Sequence, residues 1–191
     1  MKVMEIILSG DDDILSKTGW FDLPSLDKDS QPTTTGSTDK TGTALANYKS
    51  SANAVNPNDI KKYLLSKGFD NNQAAGWLVN IKWESGFKPG AYVKSDAGQG
   101  QSGGFFGFHD KVNGNGLFTQ MVNATGGGNK WQTDWQGQLD FAMRDSRGAE
   151  YKRTKFSSPG EAASWWVTHY EKPANTSQQA AIRAKSASQY A

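Results

Sequence analysis

Apolar positions are spread unevenly along the chain, and their spacing divides it into three stretches. Residues 1–10 hold one short apolar run, Ile6-Ile7-Leu8, that reads as a strand. Residues 11–56 are dominated by Asp, Ser, Thr, Gly, Asn and Lys, with Trp20, Phe21, Leu23, Leu26 and a few others to bury. A segment such as Gln31-Pro32-Thr33-Thr34-Thr35-Gly36-Ser37-Thr38 offers too little apolar surface to offset the entropy of ordering it. The stretch is expected to be a linker or an extended arm that orders on a partner, with Trp20-Phe21 as an anchor point.

From Asn56 onward the pattern is helical. Pro57 marks a helix entry and Asn58 or Asp59 can cap it. Ile60, Tyr63 and Leu64 form its apolar face, and Gly68 supplies a left-handed stop. Asp70 or Asn71 starts a second helix, with Ala74, Leu78, Ile81 and Ser85 on one face and Trp77, Asn80 and Glu84 on another. Gly86 follows, and Pro89 forbids continuation. Over residues 86–131 glycine is dense and the helical period fades, so loops and one irregular hairpin around residues 104–110 are expected, bordering a cleft. Thr133-Asp134-Trp135-Gln136 reads as a capping box for a third helix that turns Trp135, Leu139, Ala142 and Met143 inward and stops by Gly148. Ser158-Pro159-Gly160-Glu161 reads as another, opening a helix through Trp165, Trp166 and a core His169 to about Glu171, ended by Pro173. A last, weakly apolar helix covers about residues 177–189. The expected fold is mainly α: an N-terminal arm over 1–56 and a small helical domain over 57–191 with a glycine-rich loop region.

Composition narrows the chemistry. The chain of 191 residues suits one domain plus an appendage. Hydrophobic content is 36% while aromatics reach 12%, with seven Trp, which points to a small aromatic core or an aromatic groove able to stack on sugar rings. Cysteine is absent, which excludes disulfides, Cys-ligated zinc and thiol catalysis. Two His leave little material for a His-rich metal site or a Ser-His-Asp triad, and Asp11-Asp12-Asp13 lacks the EF-hand pattern, so no metal or cofactor is expected. The first ten residues do not read as a signal peptide, and no run approaches a membrane span. Net charge is +2, split as −3 over residues 1–58 (five Lys, eight acids) and +5 over 59–191 (sixteen bases, eleven acids). A mildly basic body suits an anionic polymer such as a cell wall. No Lys/Arg cluster is dense enough for nucleic acid.

One carboxyl stands out. Glu84 closes the aromatic segment Ala75-Gly76-Trp77-Leu78-Val79-Asn80-Ile81-Lys82-Trp83-Glu84-Ser85-Gly86-Phe87. At a helix C-terminus it faces the negative end of the helix dipole, and Trp77, Trp83, Phe87 and Phe105 are placed to shield it from water. Both effects would keep a proton on it, as a general acid for a glycosidic oxygen requires.

The stretch Val79-Asn80-Ile81-Lys82-Trp83-Glu84-Ser85-Gly86-Phe87-Lys88-Pro89 resembles the Gly-Asn-Ile-x-x-Glu-Ser-Gly-Phe-x-Pro hallmark of the phage tail lysozyme family, within the lysozyme-like superfamily. Val79 stands where glycine is usual. Gly104-Phe105-Phe106-Gly107-Phe108-His109-Asp110 resembles that family's Gly-Leu-Phe-Gln-Phe-His stretch, with Gly107 in place of the Gln that holds substrate or a water. Gln99, Gln101 or His109 are candidates to substitute for it. Gln138-Leu139-Asp140-Phe141-Ala142 and the segment from Ala162 to Ala174 look like the family's later helices.

The resemblance implies an α+β lysozyme-like fold and cleavage of the β-1,4 bond between N-acetylmuramic acid and N-acetylglucosamine in peptidoglycan. It implies a virion tail component that opens the host wall during genome delivery, with the arm tethering it to a tail or baseplate partner. Glu84 would be the acid. Asn80 or Ser85 would orient it, and Phe105, Phe108, His109 and Tyr151 would border the sugar. Asp96 and Asp110, both in the glycine-rich region, are the candidates for a second catalytic carboxylate, each also readable as a turn-forming Asp. Lysozyme-like transglycosylases need no second carboxylate, so hydrolysis and transglycosylation both stay open, as do a glycan-binding module without catalysis and a purely structural tail protein.

Overall fold

The computed structural model describes residues 48–50, 53–94, 100–110 and 116–191, all within one unit, Gly36–Ala191. The Ile6-Ile7-Leu8 strand, the Trp20-Phe21 anchor, Asp96 and Gln99 lie outside the described residues. The fold is mainly helical: α1 Pro57–Ser66, α2 Asn71–Ser85, α3 Leu117–Ala124, α4 Trp135–Arg144, α5 Ser146–Arg153, α6 Pro159–Trp166 and α7 Thr176–Ser186. Between α2 and α3 lies a small antiparallel sheet of β1 Tyr92–Val93, β2 Ser102–Gly103 and β3 Phe108–His109, in that order. Its register pairs Tyr92 with Gly103, and Gly103 with Phe108. Residues 104–107 form the turn of the β2–β3 hairpin, where the sequence placed one.

Helix α2 is the axis of the domain. Every residue from Gln73 to Ile81 is buried, so the helix is covered on all sides rather than amphipathic. It packs chiefly on α6 and on the 3-10 turn Ala187–Tyr190, with α1 and α7 adding to its cover. Its start is a full capping box, Asp70 and Gln73 each bonding the other's amide. Its end is sharp because Gly86 adopts φ 58° and Phe87, exceptionally for a non-glycine, φ 64°. Phe87 is held there by packing against Tyr190 and by accepting the Val55 amide, 2.9 Å.

Two buried carboxamides tie the chain's irregular parts to this frame. Gln73 Nε2 donates to the carbonyls of Tyr151, Lys152 and Thr154, closing the end of α5 against α2. Gln138 Oε1 accepts the Phe105 amide while its Nε2 donates to Pro89 and Trp131 carbonyls. The hairpin, the loop after α2 and the 3-10 turn Lys130–Gln132 are thus fixed by one side chain of α4.

Several expectations are corrected. Leu117–Ala124 is a helix, carrying Phe118, Met121 and Val122 into the core, although the surrounding glycines hide its period. The third predicted helix is capped by Asp134, which accepts the Gly137 amide; Thr133 instead donates to the Lys130 carbonyl. It stops at Arg144 because Asp145 is extended and caps a new helix, α5, within which Gly148 lies. His169 is not a core residue: it is exposed and stacks flat on Trp165, centroids 4.2 Å apart.

Gly76, midway along α2, is required by close approach. A Cβ there would lie 2.4 Å from the Tyr151 hydroxyl and 2.8 Å from the Ala162 Cβ. Gly76→Ala gains about 1 kcal/mol of helix propensity but overpacks this junction. The variant is expected to be net destabilised, by about 1–3 kcal/mol in urea unfolding, rather than stabilised as at an exposed helix site.

Candidate functional site

Glu84 sits in the last turn of α2, just before the left-handed Gly86. Its carboxylate accepts a hydrogen bond from Arg183 Nη2 of α7 at 2.5 Å, and the two side chains are only 11% and 6% exposed. The same guanidinium donates through Nη1 to Asn80 Oδ1 at 2.8 Å. Asn80 is itself held: its amide nitrogen donates to the carbonyls of Gly76 and Ala163, 2.7 and 3.3 Å. The chain therefore runs from α6 through Asn80 and Arg183 to Glu84. An opposite charge at hydrogen-bond distance favours the ionised carboxyl. This corrects the aromatic-shell expectation. Trp77 is buried in the core against Phe69, Phe106, Tyr151 and Trp166, and Trp83 packs beside Val79, Ala163 and Ala187.

The hairpin turn lies against the same carboxyl. Gly107 has φ 57°, and a Cβ built on it would lie 3.6 Å from Glu84 Oε2. The position at which the resemblance expects Gln thus faces the acid, in a backbone state that glycine tolerates best. Next to it, Phe106 packs on Trp166 and Tyr170. These belong to the end of α6 and to the π-helical turn Val167–Glu171 that continues it.

That turn brings in a carboxyl that sequence reading took only as a helix end. Glu171 accepts a hydrogen bond from Trp166 Nε1 at 3.0 Å. Part of the residue reaches the surface, but its carboxyl is enclosed by protein. Burial pushes that carboxyl well above the usual carboxylate range and repulsion from Glu84 adds to the effect, while Arg183 and the Trp166 hydrogen bond oppose it. The available signals were a glutamate ending an aromatic helix, five residues after Trp166, and an arginine, Arg183, between Ala180 and Ala187 on the buried face of the last helix.

The other expected site residues fall elsewhere. Ser85 is buried and donates to the Ile81 carbonyl. Phe105 and Phe108 are core residues, and Tyr151 does not overhang a cleft: it is fully buried and donates to the Gln73 carbonyl. His109 is half-buried on β3. Asp110 is fully buried in a closed network, accepting from Gln101 Nε2, the Thr119 amide and the Thr119 hydroxyl. It ties β3 to α3, and Gln101, which also meets Tyr92, is occupied there rather than beside Glu84. Burial raises the Tyr48 and Tyr92 phenols, with the Asp110 charge adding to it. A cavity of about 220 Å³, lined by Pro57, Asn58, Lys61, Leu78 and the last three residues, shares none of the side chains at Glu84.

A helical frame with a small sheet, a glutamate ending the central helix and a hairpin turned against it form the lysozyme-like arrangement. The profile of the phage tail lysozyme family matches residues 55–191, and the chain belongs to that family. Membership carries with it the class of a lysozyme-like, peptidoglycan-hydrolysing enzyme. No curated protein matches the chain.

The ion pair can be tested without substrate. Arg183→Met is expected to cost about 3–5 kcal/mol, because it strands Glu84 in a largely sealed site. In a Glu84→Gln background the same change should cost about 1–3 kcal/mol less, read from a double-mutant cycle of urea unfolding.

Proposed function

We propose that this protein is a virion-associated peptidoglycan glycosidase that cleaves the β-1,4 bond between N-acetylmuramic acid and N-acetylglucosamine. Glu84 is the general acid that protonates the leaving oxygen. The observation that carries this reading is Glu84 at the end of α2 facing Gly107 of the hairpin turn, within a chain of the phage tail lysozyme family. Asn80 positions Glu84 through Arg183, and glycine at position 107 keeps side-chain bulk away from the carboxyl. The basic charge of the domain draws it to an anionic wall. The polar arm, residues 1–56, tethers it to a tail or baseplate partner, and the activity belongs to the host envelope during genome delivery.

A second reading, lytic transglycosylation, draws on Asp110. With its carboxylate occupied by Gln101 and Thr119, it is poorly suited to activate water, and Glu84 alone suffices when a sugar hydroxyl attacks. Digestion of purified peptidoglycan with products read by mass spectrometry separates the cases. The native protein is expected to release soluble fragments with reducing ends, and Glu84→Gln to lose at least about a hundredfold in rate. A 1,6-anhydro end would assign transglycosylation. Equal release by both proteins would remove Glu84 from the chemistry, and no release by a folded native protein would leave glycan binding or a structural role.

A further inference from the structure

Two elements flank the Glu84 carboxyl: Gly107 of the hairpin faces Oε2, and Arg183 of α7 bonds Oε1 at 2.5 Å. The Glu84 side chain is only 11% exposed, too enclosed for a glycan strand to reach, so one flank must give way. The hairpin is braced, because Gln138 holds the Phe105 amide and Asp110 fastens β3 to α3. Helix α7 is held differently. Its buried residues are Gln179, Ala180 and Arg183, and its one large aliphatic side chain, Ile182, is half-buried. A docking face of small and polar groups gains little from leaving water. Polar ties run from Arg183 to Glu84 and Asn80, and from the Ser164 hydroxyl to the Ala180 carbonyl at 3.3 Å. Two buried atoms oppose the docking. Arg183 Nε and Asn175 Oδ1, the latter just ahead of α7, have no partner among the described residues, and undocking into water would relieve both.

The two ends of α7 differ. Ahead of it, Lys172 adopts the left-handed φ 50°, ψ 50°, uncommon for a residue with a side chain, and Pro173 follows. A few such residues between elements are where hinges absorb backbone rotation. Beyond it, Ala187 is buried with Val79 and Ala163, and the Tyr190 ring meets Phe87, so the 3-10 turn is seated on α2. We propose that α7 is an autoinhibitory lid: docked, its Arg183 seals the Glu84 carboxyl, and the site opens to glycan when α7 swings off α6 and α2 about the Ala187–Tyr190 turn. Residues 172–175 supply the hinge. Opening uncovers Glu84 and takes away the cation bonded to it, while the hairpin stays in place on the other side. The enclosed carboxyl and its role as a proton donor to a polymer are thereby reconciled.

This inference rests on Glu84 acting as the acid, so its test has an arm that needs no activity. A Cβ on Gly160 of α6 would lie 3.5 Å from the Ala184 Cβ of α7, within the roughly 3.5–4.5 Å that a disulfide spans. The chain has no cysteine, so Gly160→Cys/Ala184→Cys adds a single, reversible bolt across the lid. On soluble peptidoglycan strands the oxidised variant is expected to cleave at least about tenfold more slowly than the same protein reduced. The native rate should not respond to the reductant. Equal rates for the oxidised and reduced forms overturn the proposal. Amide hydrogen exchange supplies the second arm. In the native full chain the amides of residues 179–186 should exchange at least about tenfold faster than those of residues 73–81 in α2, and oxidation of the variant should remove the difference. Amides of α7 protected as strongly as those of α2 in the native protein overturn the lid, whatever the activity. Should the double variant not fold or not oxidise, Arg183→Lys, which keeps the charge but loses the forked contact, should speed exchange in α7 and leave α2 unchanged. Unchanged exchange in α7 of that variant overturns the lid equally. A native protein that cleaves nothing would sink the functional reading, while the exchange arm alone would still decide whether α7 opens.

Discussion

The Arg183 guanidinium lies where the end of α2, the middle of α7 and, through Asn80, the start of the α6 contact come together, and it bonds Glu84 and Asn80 at once. Removing two charges from water costs several kcal/mol each, and that cost is met only when geometry and additional hydrogen bonds are good. Here the conditions are supplied by the frame: Asn80 is fixed by two carbonyls, α2 ends abruptly at Gly86 and Phe87, and α7 is carried to the site by the turn after Glu171. The ion pair therefore fastens the last helix to the central one, and the same contact engages the group proposed to do the chemistry.

Two scales of order cooperate. Buried glutamines Gln73 and Gln138 satisfy carbonyls and an amide that irregular segments would otherwise leave unpaired in the core, each such loss being worth about 1–3 kcal/mol. With them in place, a glycine-rich hairpin without much periodic structure is held rigidly enough to present Gly107 to Glu84. Asp110 performs the same task at the other end of that hairpin, bracing β3 against α3. Its chemistry is that of a strut: three donors converge on one carboxylate.

Local signals were legible where the backbone itself dictates the residue. Asp70, Pro57, Ser158 with Glu161, and Gly86 each mark a helix end, and each lies at one. Glu84 was legible as the closing carboxyl of α2 for the same reason. What the sequence hid is tertiary. Asp145 both stops α4 and caps α5, so one continuous pattern conceals two helices. Phe105, Phe108 and Tyr151 are aromatic in a region expected to wall a cleft, yet packing drew them inward, since aromatic area is worth most when buried. Arg183 lies 99 positions from Glu84, a pairing that no local spacing reveals, and Glu171 reaches the site only because the helix changes to π geometry after Trp166.

The central claim is that a glycan binds at Glu84, against the Gly104–Gly107 turn. The most direct measurement is a crystal structure of the Glu84→Gln protein with a peptidoglycan fragment bound. The account predicts a glycosidic oxygen within hydrogen-bonding distance, about 2.6–3.2 Å, of the carboxamide introduced at position 84, with a sugar ring lying against Gly107. A fragment seated elsewhere on the domain, with Arg183 still closing position 84 from the sugar, would contradict it.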